Sequence, residues 1–441
     1  MRLRTALGAL AFTAASLAAQ GQDDGFAASA KLELRGNYRD SKEQKFGLST
    51  PLPPILLPPG ETQAFMETVD AGTHWEASDV TLRLDLTYGK SFAARAKIDA
   101  IDLYERNPTS GDRTVDLDEA WVRFGQRPEL LELPDGTTLF AQFGKAPKLE
   151  RQPVRLLESY GLSSTAFNRL EDVQALVGGS IGRNLYWRAQ WSTGNPLFMR
   201  DPNALAGDNG TEELKQPFPD PELKAGFPIL YDAEVEDYFF DTANPEIGGG
   251  LGWRWKSEAS GVGIDLLAFY YERSLADEVD LRGTFYGGDL DILSGPFGIV
   301  IPVDGRKKEE YGASFYSELG AFTLLGQAVE QEIAGLGRSG VEIEAGWQFS
   351  RPGSAIPFVQ PAVRYSSLEA DFRGPADFPA PSFWWDWTKY DAGIRFGVTK
   401  YADVTAEYSH IEVDQAPQLD LDEVLVTVRV KLGAEWRPTG M

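Results

Sequence analysis

One short stretch of the chain concentrates positive charge in a protein that is otherwise strongly acidic. The whole chain has 42 Lys and Arg against 66 Asp and Glu, a formal net charge of -24. Closely spaced guanidinium and ammonium groups in a confined aqueous passage attract anions and replace part of their hydration. The sequence therefore predicts an anion-contacting constriction formed by Lys145, Lys148, Arg151, Arg155 and Arg169, together with Glu150 and Glu158.

Residue types suited to catalysis or metal binding are scarce. The chain has no cysteine and only two histidines, His74 and His410. Ser409 precedes His410, but neighbouring side chains of a strand point to opposite faces and cannot pair as nucleophile and base. We therefore expect no catalytic residue, no metal centre and no cofactor. Nucleic acid is not expected as a partner either, because its phosphates would be repelled by the net charge.

Apolar and polar side chains alternate along most of the chain and indicate the elements that position these charges. In residues 80–88 the even positions are apolar and the odd positions are polar or charged. Successive side chains of a strand point to opposite faces, so one face suits hydrocarbon and the other suits water. The predicted fold is all-β, a transmembrane antiparallel up-and-down β-barrel of about 16 strands with an inward-folded third loop.

The predicted strands share this alternation and end at glycine, proline or charged links. Short and long links mostly alternate, as they do in outer-membrane barrels. Two links do not follow this alternation. Residues 125–136 form a long link at the end of the barrel where the other links are short, and residues 335–337 form a short link at the end where the other links are long. The predicted strands cover 27–38, 76–88, 91–104, 114–124, 137–144, 171–181, 184–193, 247–256, 261–274, 309–318, 320–332, 338–349, 357–369, 388–398, 401–412 and 421–436.

The N-terminal residues carry the pattern of a secretory signal. Arg2 and Arg4 precede an apolar, alanine-rich run, and small residues follow at the spacing of a cleavage site. We predict a signal peptide over 1–19 and a single barrel domain over 20–441. The mean hydropathy of -0.29 is compatible with this fold, because only alternate residues of each strand need to be apolar.

The stretch after the fifth predicted strand resembles a known family. The sequences of 144–150 and 163–169 resemble a segment of phosphate-selective porins of the O and P type, which carry Gly-x-x-x-Pro-Phe-x-x-Glu and then Phe-x-Glu-Arg. Lys148 stands at the position of the phenylalanine, and Asn168 follows Phe167 directly. The resemblance implies a sixteen-stranded outer-membrane porin, a third loop that narrows the lumen, and anions such as phosphate as solutes.

Strand parity predicts which cations line the lumen. The alternative is that they pair with Glu33, Asp85, Asp99, Glu119 and Asp391 on the same faces, which would make the lumen mixed and weakly selective. The predicted wall residues are Arg35, Arg83, Arg95, Lys97, Arg123, Arg188, Arg395, Arg429 and Lys431.

These patterns together favour a diffusion porin in the outer membrane of a Gram-negative bacterium. We expect it to be a homotrimer, in contact with outer-membrane lipid and lipopolysaccharide, that passes small hydrophilic solutes and mildly favours anions. The aromatic cluster 383–387 leaves open a sugar-selective channel, since stacked indoles suit the apolar face of a sugar. The strand pattern is also compatible with a structural or adhesive barrel and with an enzymatic barrel.

Overall fold

The computed structural model of the chain is dominated by long β-strands. The described residues are 25–42, 44–48, 64–69, 72–101, 115–152, 154–167, 171–193, 197–199, 230–231, 245–257, 259–275, 280–281, 307–371, 385–414 and 419–436. The long strands are β1 Phe26–Ser41, β2 Gly72–Tyr88, β3 Phe92–Ile101, β4 Val115–Gly125, β5 Thr138–Pro147, β6 Glu171–Ile181, β7 Leu185–Ser192, β8 Glu246–Ser257, β9 Val262–Ser274, β10 Lys307–Leu319, β11 Phe322–Ile333, β12 Leu336–Trp347, β13 Phe358–Ala370, β14 Asp386–Gly397, β15 Ala402–Asp414 and β16 Leu419–Trp436.

These sixteen strands form a sheet that closes on itself. Each strand pairs antiparallel with its neighbours in chain order, and β16 pairs with β1 from Trp436 opposite Ala28 to Glu423 opposite Ser41. Closure removes the sheet edge, whose unpaired backbone groups hydrocarbon could not accommodate. The predicted sixteen-strand up-and-down barrel is confirmed, and each predicted strand lies within a few residues of an observed one.

The two faces of the wall have the opposite polarity to those of a water-soluble protein. On β16, Val424, Val428 and Leu432 are 40%, 47% and 46% exposed, whereas Glu423 and Thr427 are 1% and 2% exposed. A water-soluble domain would bury its valines and expose its glutamates. The outward face therefore suits hydrocarbon and the inward face suits water, as the alternation predicts.

Tight turns join strands at one end of the barrel. Gly89, Gly182 and Gly320 occupy three of these turns with positive φ of 51°, 67° and 67°. Only glycine adopts this conformation readily, so these positions are suited to short links between antiparallel strands. All three lie at links that the sequence predicts to be tight.

Most of the smaller elements lie outside the wall. One helix, α1 Leu162–Phe167, follows β5. No helix among the described residues has both the length and the apolar composition needed to cross a bilayer. Several predicted long links contain short strands, which are absent from the predicted set. Gln44–Leu48 pairs with Ala64–Val69. Leu197–Met199, Leu230–Tyr231 and Asp280–Leu281 form a small sheet. A further short strand, Phe349–Ser350, follows β12 and pairs with β13 within the wall sheet.

Candidate solute pathway

The residues that follow β5 make contacts on the opposite side of the ring of strands. β13 is eight strands from β5 in the ring of sixteen. In loop segment 148–167, the N–H of Leu157 donates to Glu344 of β12 at 2.8 Å, and the N–H of Ser159 donates to Glu407 of β15 at 3.0 Å. The loop has no ladder of its own here, so inward carboxylates of the wall accept its N–H groups.

Cationic side chains of the same wall hold the carbonyl oxygens of the loop. Arg364 donates to the carbonyl and the hydroxyl oxygen of Ser159 at 2.8 Å and 2.7 Å. Lys389 donates to the carbonyl of Tyr160 at 2.7 Å. Neither cation is among the predicted wall residues, although Lys389 has the strand phase of Arg395 and parity alone would have placed it on the inward face.

Glu158 brings the loop segment together with two predicted wall arginines. Its carboxylate pairs with Arg395, and it lies 2.9 Å from Nη1 of Arg429. Burial works to raise the pKa of Glu158, but the guanidinium groups of Arg429, Arg395, Arg155 and Arg35 outweigh it and hold the pKa at about 2. Glu158 is therefore ionised at neutral pH and compensates part of the wall charge.

Lys148 and Glu150 lie in a separate buried network. The ammonium of Lys148 lies 3.0 Å from Glu246 and 3.5 Å from Glu310, and 4.5 Å from the ring centroid of Tyr271. Burial raises the pKa of Glu150 to about 7, against the attraction of Lys148. The side chain of Lys148 is only 6% exposed, so the charge of this predicted constriction residue is largely neutralised by its carboxylate partners.

The other predicted constriction residues have different surroundings. Arg151 pairs with Glu171 of β6, and the guanidinium of Arg155 stacks 4.0 Å from the ring of Tyr160. Lys145 lies within β5, which continues to Pro147, rather than in the loop segment, and its place at the constriction stays a prediction. Arg169 lies outside the described residues.

Most wall cations on β1–β4 are paired with carboxylates, as a compensated lumen requires. Positive and negative side chains therefore lie side by side on the inward face, and the electrostatic potential there has mixed sign. Arg35 lies 2.6 Å from Glu33 and 3.2 Å from Asp79, Arg83 2.6 Å from Asp85, Arg95 2.7 Å from Asp85 and 3.3 Å from Glu119, and Lys97 2.9 Å from Asp99 and 2.6 Å from Asp118.

The remaining wall cations differ in how they are compensated. Asp391, the fifth predicted partner, pairs with Arg364 and Lys389 rather than with a predicted wall cation. Arg123 lies 3.8 Å from Glu129, Arg188 donates to the carbonyl of Leu149 at 2.7 Å, Arg429 lies 2.8 Å from Asp403, Arg395 lies 3.8 Å from Asp403, and Lys431 lies 3.9 Å from Glu33.

A cavity of about 640 Å³ lies between the loop segment and the wall. Its lining residues come from β1–β10, from turn 126–137 and from residues 148–152 of the loop segment. Ten of its lining residues are Lys or Arg and seven are Asp or Glu. This local excess of positive charge contrasts with the net negative charge of the chain. Three of the lining cations, Lys31, Arg127 and Arg254, belong neither to the predicted wall nor to the predicted constriction.

The long turn between β4 and β5 covers residues 126–137, where the sequence predicts a link over 125–136, and it packs against the loop segment. Leu131 is 2% exposed and belongs to an apolar cluster with Leu156, Leu157 and Tyr316. Gly263 leaves space for it, because an added Cβ there would lie 2.6 Å from Cδ1 of Leu131. The turn is long because it reaches this cluster, which strand periodicity alone could not predict.

Two further sequence features are positioned by β14 and β15. Trp385 and Trp387 have ring centroids 6.4 Å apart, but they are only 5% and 1% exposed. Ser409 donates to Asp391 on the inward face, whereas His410 lies 2.8 Å from Asp422 on the outward face. Ser409 and His410 therefore point apart, as strand alternation predicts.

No protein-family model matches this chain, and no curated protein is similar to it in sequence. The outer membrane channel DcaP of Acinetobacter baumannii has a TM-score of 0.50 at 10% identity, covering 92% of this chain and 98% of that chain. OprB of Pseudomonas putida has 0.49 at 10% identity, covering 92% and 94%. An anion-selective porin from Comamonas acidovorans has 0.44 at 7% identity, covering 93% and 100%. The similarity to DcaP supports the sixteen-strand fold.

Proposed function

We propose that the protein is an outer-membrane diffusion channel for small hydrophilic solutes, with a preference for anions. One observation carries the proposal, a closed wall with an apolar outward face and a charged inward face around a cavity of about 640 Å³. Such a wall separates hydrocarbon from a water-filled lumen, so a polar solute meets polar side chains along its path. Passage is passive and involves no chemistry on the solute.

In this proposal, loop segment 148–167 is the third loop, folded into the lumen and narrowing it. Its hydrogen bonds to Glu344 and Glu407, far from the strand it leaves, support this role. The wall fastens both the N–H groups and the carbonyl oxygens of the loop. A loop held in this way keeps a fixed cross-section, which size selection in a pore requires.

The proposed anion preference rests on the balance of charge at the cavity. Ten cationic lining residues against seven acidic ones leave a positive excess where the solute would pass. Positive potential in a narrow aqueous passage raises the local concentration of anions. Because most wall cations are paired, we propose a mild preference rather than exclusive anion passage. Phosphate is the anion suggested by the sequence resemblance to porins of the O and P type.

The proposal extends to location and assembly. A cleaved signal peptide over residues 1–19, which lie outside the described residues, would direct the chain to the envelope of a Gram-negative bacterium. The apolar outward face would contact outer-membrane lipid and lipopolysaccharide. We propose a homotrimer, the assembly implied by the sequence resemblance.

Liposome swelling tests the proposal against a sugar-selective channel. Vesicles containing the purified protein are diluted into a small anionic solute or into an uncharged sugar of similar size. We expect both solutes to enter, the anion about threefold faster because of the positive lining. Replacement of Arg151 and Arg155 by alanine should reduce the anion rate, whereas Arg183→Ala in an exposed turn should not. Absence of swelling would contradict the channel, and faster sugar entry would favour the sugar-selective function.

A further inference from the structure

Four arginines from four separate elements line one part of the cavity. Arg123 lies on β4, Arg188 on β7 and Arg254 on β8, and turn 126–137 adds Arg127. We call these four residues the arginine cluster. Burial, and after it the positive charges of Arg188 and Arg123, lower the pKa of Arg127. Like charges repel one another, and a negative charge placed among them is attracted to all of them.

Two members of the arginine cluster have carboxylate partners, and these carboxylates differ in how far they compensate the charge of their arginine. Asp265 is buried 2.6 Å from Arg254 and neutralises it. Arg123 lies 3.8 Å from Glu129, but the side chain of Glu129 is 79% exposed. An exposed partner is screened by water and contributes little compensation. The charge of Arg123 is therefore compensated only in part.

The other two members have neutral partners among the described residues. Arg127 donates to the amide oxygen of Gln142 at 3.3 Å, and Arg188 donates to the carbonyl of Leu149 at 2.7 Å. Within the described part of the chain, neither has a carboxylate within 4.0 Å. By contrast, Arg364 on the opposite wall lies 2.9 Å from a carboxylate. Among the described residues, the arginine cluster thus carries an excess of positive charge.

Aromatic rings orient the guanidinium groups of the arginine cluster. Arg188 and Arg254 lie 5.1 Å and 4.8 Å from the ring centroid of Tyr186. Arg127 lies 5.6 Å from the ring centroid of Phe140. Stacking holds a guanidinium plane in place and leaves its N–H edge available to an oxygen acceptor. Donors fixed in this way lose little conformational entropy when an anion arrives.

We propose that the arginine cluster is a binding site for a small oxyanion that carries two negative charges. The proposal rests on the proposed channel function. It names the class of solute that binds transiently inside the channel during permeation. The guanidinium forks of Arg127 and Arg188 match the paired oxygens of a carboxylate, sulfuryl or phosphoryl group, whereas chloride offers a single acceptor atom. A divalent oxyanion therefore binds more tightly than chloride at this point and slows its passage.

Block of chloride current by inorganic sulfate tests the proposal. Channels in planar bilayers carry a chloride current while sulfate is added in steps. We expect sulfate to reduce the current, and the half-blocking concentration to rise about tenfold when Arg127→Gln and Arg188→Gln are combined, a loss of about 1.4 kcal/mol of binding. Arg183→Gln, in an exposed turn, is the matched control and should leave the block unchanged. An equal half-blocking concentration in the double variant would overturn the proposal.

Calorimetric titration of sulfate into detergent-solubilised protein separates the site from the channel. Binding by the natural protein that the double variant loses supports the site, even in protein that conducts no current. Absence of binding by a conducting natural protein would overturn the site and leave the proposed channel standing. Circular dichroism verifies that the double variant keeps its strand content, so a loss of binding is not a loss of fold.

Discussion

The Nη1 atom of Arg429 on the last strand lies 2.9 Å from Oε1 of Glu158 in the segment that follows the fifth strand. Arg395 of β14 pairs with the same carboxylate. Arg429 and Arg395 also lie 2.8 Å and 3.8 Å from Asp403, so two arginines share two carboxylates. Glu158 thus both fastens the loop segment to the wall and sets how much positive charge the wall presents.

Replacing Glu158 by glutamine should increase the preference for anions. The substitution removes one negative charge and leaves Arg395 and Arg429 with Asp403 alone. We expect the ratio of anion to cation permeability to rise about twofold to threefold, because pore selectivity follows the charge lining the path. The measurement is the reversal potential under a salt gradient. Asp135→Asn, at an exposed position of turn 126–137 that is not among the lining residues of the cavity, is the control. An unchanged ratio in Glu158→Gln would mean that this pair lies away from the path.

The contribution of Glu158 to stability should depend on pH in a defined window. Its pKa of about 2 lies below the ordinary value of 4.5, so the folded state favours the ionised form. The stabilisation is therefore complete above about pH 4.5 and is lost as the pH falls towards 2. The measurement is the difference in unfolding temperature between the natural protein and Glu158→Gln at several pH values. A difference that stays constant down to pH 2 would contradict the prediction.

Shortening Leu131 should widen the passage. Leu131 is 2% exposed and joins turn 126–137 to Leu156 and Leu157 of the loop segment. Leu131→Ala leaves a cavity in this cluster, at a cost of about 2–5 kcal/mol, and loosens the contact between turn and loop. We expect a larger and noisier single-channel conductance. Leu139→Ala, at a side chain that is 67% exposed on the outward face, should behave like the natural protein. A conductance equal to that of the natural channel would contradict a role for the turn in setting the width.

Gly144 near the end of β5 should not tolerate a side chain. An added Cβ would lie 2.1 Å from the carbonyl oxygen of Ala120 on β4, and φ at Gly144 is +124°. Backbone atoms of a paired strand cannot move aside, so Gly144→Ala should reduce the yield of folded protein sharply. The measurement is the fraction that migrates as a compact barrel on unheated gels. Gly136→Ala is the control, since nothing lies within 4 Å of its added Cβ. Normal folding of Gly144→Ala would contradict the predicted clash.

The wall could be predicted from the sequence because hydrocarbon outside and water inside impose a strict period of two on every strand. The strand predicted at 171–181 is observed as Glu171–Ile181 for this reason. Where a strand ends is less constrained, and β5 extends three residues beyond its predicted end, so that Lys145 belongs to the strand rather than to the loop that follows it. Turn 126–137 has no such period, so the inward packing of Leu131 and the place of Arg127 depend on tertiary contacts that a linear pattern does not encode.

The reversal potential of single channels under a tenfold potassium chloride gradient tests the central claim most directly. Discrete conducting steps with a potential displaced towards that of chloride are the result expected from a water-filled lumen whose cavity carries ten cationic and seven acidic lining residues. A protein that inserts in folded form and never conducts would contradict the channel. Conducting steps with a potential displaced towards that of potassium would contradict the anion preference.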